Sequence, residues 1–422
     1  MAPPTTPPPK GSLSSHLPPL LLGTATFNTQ YVPDPHSLPY RSIVSRAISL
    51  GVTGFDTSPY YGPSELLLGD ALNALFTTSP TNPVPLPRND IFLVTKAGRI
   101  AGDEFDYSPS WIRYSIYRSL QRLHTDYLDL VYMHDVEFVS PEEVLEAVTE
   151  LRRLRDEEGV IKYVGISGFP VKVLVELAEM IKEKTGEGLD AVLSYGHFTV
   201  QNRGLAEGSY LERFKKAGVE VVLNASMLGM GLLTQQGIPP NPESKESPLV
   251  KWHPSPPDLR IACKKLGELA AEKGERLESV AIRWALEEWA RVGAEAGVGV
   301  DATTSSGAKM KVGSTVCGVS SIPELEETVK EWNEVLEGLE KVAAADGEGK
   351  KDGHGRVYGS ERSEKVLKLV EDEMWPALGE WVDFAWASPG EGYVNTRRPE
   401  DKGKVPDDGV IAAHEERVKN KQ

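Results

Sequence analysis

Short apolar runs rich in β-formers alternate with longer stretches of helical spacing from about Leu17 to Glu340. The strand candidates are LPPLLLGTATF, TGFDTS, IFLVTKAG, LDLVYMH, YVGISG, AVLSYG, EVVLNAS and STVCGVS. Nearly all lead into a helical stretch, such as SELLLGDALNALF or SPEEVLEAVTELRRLRDEEG. Strands that alternate with helices pair in parallel through crossovers. Eight units in about 320 residues predict an α/β fold, a closed (β/α)8 TIM barrel over residues 17–340. A doubly wound open sheet is the alternative. Ser140-Pro141-Glu142-Glu143 supports the helix readings: an N-cap, a proline at the first helical position and acids in the first turn.

Four segments break the rhythm. Residues 1–16 are proline-rich and are expected to form a disordered leader. Residues 235–258 follow the seventh strand and predict a lid or specificity loop over the active rim. Residues 291–311, rich in Gly, Ala, Ser and Thr, predict a flexible insertion. Residues 341–422 predict a linker, a tail helix carrying Trp375, Trp381 and Trp386, and a disordered end from Ser388. The tail is expected to pack on its own barrel or on a partner.

The formal net charge of −16 disfavours nucleic acid or an anionic membrane surface as a partner. Two cysteines, Cys263 and Cys317, cannot build a disulfide framework. No apolar run is long enough to span a bilayer, and no secretory signal is evident. A cytoplasmic enzyme, monomeric or weakly self-associating and without a metal, is the expectation.

The chemistry lies at the strand ends. Asp56 ends the second strand, Lys96 the third and His134 the fourth, with Tyr61 in the loop after the second. In a parallel barrel these ends share one rim. An ordinary phenol has a pKa of about 10, and an adjacent ammonium favours its ionised form. Lys96 is expected to tune Tyr61, Asp56 to hold Lys96, and His134 to orient a carbonyl or hydroxyl oxygen. Singly, each has a plain structural role: an N-cap, a packed ring, a strand-end charge, a satisfied imidazole. Their joint placement on successive strands points to proton transfer at a carbonyl oxygen.

The stretch GFDTSPYYGPSELLLGDAL, followed in order by TKAG, LVYMHD, VGISGF and VCGVSSIPELEETV, resembles the aldo-keto reductase family. The resemblance implies a barrel that binds a nicotinamide cofactor without a Rossmann domain. It makes Tyr61 the catalytic acid/base and Asp56, Lys96 and His134 its partners. Within the family, LSYGHFTVQN, ASMLGMGLLT and WHPSPPDLR resemble the sugar dehydrogenases that oxidise D-arabinose or L-galactose at C1 to an aldonolactone. Trp252, His253 and His197 are then the expected substrate residues.

The same resemblance lays the cofactor along Ser167, Ser194, Ser226, Leu228, Gly318, Ser320, Glu324 and Glu327. Many members carry Ser-Asn where this chain has Ser167-Gly168, and a stacking tyrosine where it has Ala225. Glu324 falls where members that use NADPH place an arginine for the 2′-phosphate. A carboxylate repels that phosphate and accepts bonds from a ribose hydroxyl, so NAD is expected over NADP. Two alternatives stand beside an NAD-dependent aldose dehydrogenase. One is an NADPH-dependent aldehyde or ketone reductase. The other is a cofactor-sensing regulatory subunit.

Overall fold

A parallel strand covered on both faces needs apolar residues at nearly every position, not every second one. FLVTKA, LDLVYMH and VVLNA meet that need, and every residue in them is buried. The computed structural model describes residues 11–79, 82–344 and 357–420. Strands β1 (Leu20–Gly23), β2 (Gly54–Asp56), β3 (Phe92–Ala97), β4 (Leu128–His134), β5 (Ile161–Gly168), β6 (Ala191–Tyr195) and β7 (Val221–Ala225) come first. Then follow β8 (Val300–Thr303), β9 (Lys309–Val312) and β10 (Ser314–Gly318). The order β1-β10-β7-β6-β5-β4-β3-β2 closes into a barrel, with every barrel pair parallel. Strands β8 and β9 form a separate antiparallel hairpin.

The barrel helices are α1 (Tyr40–Ser49), α2 (Ser64–Phe76), α3 (Pro109–Arg122), α4 (Pro141–Arg153), α5 (Val171–Thr185), α6 (Tyr210–Lys216), α7 (Pro257–Glu272), α8 (Leu277–Glu295) and α9 (Ile322–Ala344). Helix α4 starts on the expected N-cap Ser140, which also closes a capping box: Ser140 Oγ accepts from Glu143 N–H and Glu143 accepts from Ser140 N–H. The tail adds α10 (Glu361–Lys368), α11 (Trp375–Leu378) and α12 (Val410–Lys419).

Three outlying segments differ from their sequence readings. Residues 1–10 and 345–356, the bulk of the expected leader and linker, lie outside the described residues. Residues 11–16 are not a loose leader: Leu13 is fully buried, and Ser14 N–H donates to Glu220 just ahead of β7. Residues 291–311 are not a flexible insertion. They finish α8 and form the β8–β9 hairpin, whose Val300 and Val312 are buried. Small and hydroxyl residues suggested looseness, but the two valines bring the hairpin into the core.

The chain end is not disordered either. Asn395 exchanges two hydrogen bonds with the Phe105 backbone, at 3.0 and 2.9 Å. Arg397 binds Asp106 and Glu104, and His414 of α12 stacks on Tyr117 of α3 with ring centres 3.6 Å apart. Its polarity is spent on specific partners on the barrel surface. Trp375 Nε1 donates to Val200 O, and Gln201 Nε2 donates to Trp381 O and Phe384 O, so the tail packs on its own barrel.

Candidate active site

Asp56 closes β2, His134 closes β4 and Lys96 lies one residue short of the end of β3. Pairing of β2 with β3 and of β3 with β4 brings the three to one sector of the rim. Lys96 Nζ donates to Asp56 Oδ1 at 2.6 Å and to Thr57 O at 3.0 Å. Both side chains are almost wholly buried, where an ion pair survives only if its hydrogen bonds are made. Nζ lies 4.9 Å from the centre of the Tyr61 ring. Tyr61 stands edge-on to His134, with centres 5.6 Å apart. The structure therefore brings all four expected residues together.

Their charge states need one correction. Lys96 was expected to bring the Tyr61 phenol down. Burial instead holds it well above its ordinary value, the charges of Asp56 and Asp135 add to this, and Arg99 opposes it. Tyr61 therefore keeps its proton at rest. Burial also pushes His134 down to about 3, so this imidazole is neutral at physiological pH.

The hydrogen bonds assign its tautomer. Ser58 Oγ accepts from Tyr60 N–H at 3.1 Å and lies 3.0 Å from His134 Nδ1. The Ser58 hydroxyl proton is then best spent on Nδ1, which leaves the imidazole proton on Nε2. Asp135 Oδ2, 3.6 Å from Nε2, favours the same choice. The backbone of His134 is held as well, since Tyr107 Oη donates to its carbonyl at 2.6 Å. Gly98 makes room for that ring: its φ is 99°, and a Cβ there would stand 2.3 Å from Tyr107.

The expected substrate residues divide. Trp252 Nε1 donates to Gln30 O at 3.0 Å, and its ring meets Tyr31, which seats the lid on the loop after β1. His253 was expected to face substrate. Both its nitrogens are engaged instead, Nδ1 with Ser255 Oγ at 2.8 Å and Nε2 with Gly229 O at 2.9 Å. It braces the lid. His197 lies beneath Phe169, with centres 4.2 Å apart, and Phe169 stacks on Trp386 at 4.8 Å. Gln201 and Asn202 of the LSYGHFTVQN block hold the tail through the Phe384 carbonyl.

Of the expected cofactor residues, Ser167 donates to Met133 O at 3.2 Å. Ser194 Oγ is fully buried and has no hydrogen-bond partner among the described residues. Its strand neighbours are Gly168 and Asn224, and Asn224 Oδ1 also lacks a partner among the described residues. A carboxamide, with both donors and an acceptor, suits such groups. Ser226 takes a left-handed turn (φ 59°) beside half-buried Leu228. Gly318 ends β10 in the open. Glu324 accepts from Ser320 N–H at 2.7 Å and from Ser320 Oγ. Glu327 was expected near an adenine; its carboxylate is bonded to Arg276 and Ser279 at the start of α8.

Sequence reasoning missed Asn224, Arg99, Asp135, Glu137 and Trp386. Asn224 was detectable as an amide inside an apolar strand, and Asp135 as the second polar residue of LVYMHD. Nothing in the sequence placed Trp386 beside Phe169.

Residues 19–343 match the model of the aldo/keto reductase family. This chain belongs to the aldo/keto reductase family. It is 38% identical over 333 residues to a D-arabinose 1-dehydrogenase of Saccharomyces cerevisiae, covering 78% of this chain and 87% of that protein. It is 33% identical over 289 residues to an L-galactose dehydrogenase of Arabidopsis thaliana, covering 68% and 75%. A glycerol dehydrogenase from Gluconobacter oxydans shares the fold, with a TM-score of 0.53 at 21% identity over 87% of this chain and 93% of that one. The chain is accordingly an oxidoreductase acting on CH–OH donors, and its family uses a nicotinamide cofactor. Among the described residues no helix is long and apolar enough to cross a membrane.

Proposed function

We propose that this aldo/keto reductase oxidises an aldose at C1 to its aldonolactone with NAD, D-arabinose being the first candidate. The likeness to two sugar dehydrogenases, each over two thirds of this chain or more, carries the reading. A bound NAD would supply the hydride acceptor and, being positively charged at the nicotinamide, would favour the phenolate form of Tyr61. His134 Nε2–H donates to the C1 oxygen and fixes its position. Tyr61 takes the hydroxyl proton as C1 loses its hydride and the C1–O bond becomes a carbonyl. For this Tyr61 must first release its resting proton to solvent, and Lys96, held by Asp56 and Thr57 O, steadies the phenolate until the hydroxyl proton arrives and neutralises it. Ser167, Ser194 and Asn224 are the candidate carboxamide partners. The partner is a small sugar, and the setting is a reducing cytoplasm, where buried free thiols such as Cys263 and Cys317 persist.

Glu324 supports NAD over NADP. Its carboxylate is bonded to Ser320 at the start of α9, and the nearby Arg276 is already bonded to Glu327. The position thus offers a 2′-phosphate an anion and no unpaired arginine from this pair. The second reading, an NADPH-dependent aldehyde reductase, draws on the protonated resting state of Tyr61, which suits proton donation.

The test is a panel of D-arabinose, L-galactose and L-fucose with both cofactors, followed at the absorbance of the reduced nicotinamide. Oxidation of at least one aldose with NAD is the expected result. Efficient aldehyde reduction with NADPH and no aldose oxidation would establish the second reading instead.

A further inference from the structure

Asp135, directly after His134, is a second carboxylate at the catalytic rim. Its backbone is left-handed (φ 57°), a conformation that aspartate tolerates better than most side chains. Only 1% of the residue is exposed. Oδ2 is paired with the Arg99 guanidinium and lies 3.6 Å from His134 Nε2, the nitrogen that faces the reacting oxygen. Oδ1 is buried and has no hydrogen-bond partner among the described residues. The charge of Asp135 reaches Tyr61 and Tyr107, in the loops after β2 and β3, and Tyr195 at the end of β6.

Arg99 is held independently of any ligand. It donates to Gly102 O at 2.8 Å and lies over the Tyr60 ring at 3.9 Å. Phe105 and Phe138 flank it, and Tyr393 of the tail meets both edge-on. The carboxylate is thus fixed and neutralised on one oxygen while the other is left to accept. A buried acceptor of this kind is costly unless a donor arrives. A simple aldehyde brings none, whereas a sugar brings a hydroxyl on the carbon beside the reacting one.

We propose that Asp135 is a sugar-recognition residue whose Oδ1 accepts a hydrogen bond from the C2 hydroxyl of the aldose. The inference rests on the aldose dehydrogenase reading above and adds to it a residue that separates polyhydroxy substrates from plain carbonyl compounds. A charged acceptor matched to one hydroxyl contributes discrimination on the order of ten- to hundredfold.

The experiment compares D-arabinose with 2-deoxy-D-ribose, which is also its 2-deoxy form, using wild type and Asp135→Asn with NAD. Wild type should lose on the order of ten- to hundredfold in kcat/KM on the deoxy sugar, most of it in KM. Asp135→Asn should lose at least about tenfold less between the two sugars than wild type does. Equal losses in both proteins, or a wild type indifferent to the 2-hydroxyl, would overturn the role of Asp135 alone. A wild type that oxidises neither sugar nor any other aldose would overturn the function and this inference together. If Asp135→Asn folds poorly, Asp135→Gly, which keeps the left-handed backbone and removes the acceptor, is compared in the same way and decides.

Discussion

Tyr61 and Glu137 show how burial sets the behaviour of single groups at this rim. In the proposed mechanism Tyr61→Phe removes the oxygen that exchanges a proton with the sugar and leaves the ring beside His134 in place. Turnover should fall by about 10²–10⁴-fold with cofactor binding retained, as read by nicotinamide fluorescence titration. A near wild-type rate would remove Tyr61 from the mechanism. Glu137, in the loop after β4, is pushed up to about 8 by burial and by the charge of Asp135. Its Oε1 accepts from Phe169 N–H and Ser388 Oγ, while Oε2 fills the space a Cβ on Gly168 would need, 2.4 Å away. The folded state therefore binds a proton that the unfolded chain has lost above its ordinary value of 4.5. Below that value both states are protonated and nothing is lost; between it and about 8, stability falls as pH rises. Thermal melts of Glu137→Gln should show a shallower decline across this window than wild type, and parallel curves would contradict the assignment. Tyr61, Lys96, Asp56 and His134 were readable in sequence because each lies on or beside a strand end. Glu137 and Arg99 were not, because their roles come from partners on other loops: Phe169 and Ser388 for Glu137, Asp135 for Arg99.

At the level of elements, the tail is what the sequence concealed. The helix read from SEKVLKLVEDEMWPALGEWVDFAW runs only from Glu361 to Leu378, with Val366, Leu367, Val370 and Met374 buried; Trp386, expected on that helix, lies in the loop beyond it. The later stretch reads as polar chain, yet it crosses the rim from the loop after β6 to the loop after β3. Asp383 binds Arg203, Trp386 stacks on Phe169 and meets His253 edge-on, and Thr396 N–H donates to Asp103 O. The tail thereby links four loops at the rim that carries the candidate site. Trp386→Ala should leave far-UV circular dichroism unchanged and cost about 0.5–1.5 kcal/mol in urea unfolding from the lost ring pair, beyond the buried area. It should also lower kcat/KM for the sugar several-fold, chiefly through KM. Unchanged kinetics would confine Trp386 to a structural role. Pairing such as Gln201 with Phe384, 183 residues apart, leaves no periodic trace in a sequence.

For the molecule as a whole, the core protects both thiols. Burial pushes Cys263 up to about 12 and Cys317 up to about 11, so neither is a reactive thiolate at neutral pH. Alkylation of native protein by iodoacetamide should be negligible and should rise with denaturant in step with global unfolding; fast labelling of the native state would show local opening near α7 or β10. The barrel itself was legible because each strand must be apolar along its length and each crossover helix apolar on one face. Those demands act within 10 to 20 residues and so are written locally. The candidate quartet Asp56, Tyr61, Lys96 and His134 followed, since closure alone brings successive strand ends together. The tertiary structure decided matters that depend on contacts between distant segments. It gave the hairpin of residues 300–312 a place in the core, and it turned His253 from a substrate residue into a brace. It raised Tyr61 where one nearby cation suggested lowering, because burial and two carboxylates outweigh that charge once solvent is excluded. The reaction type rests on residue identity, which the chain carries in order. Charge state, lid and entrance rest on distances, which exist only after folding.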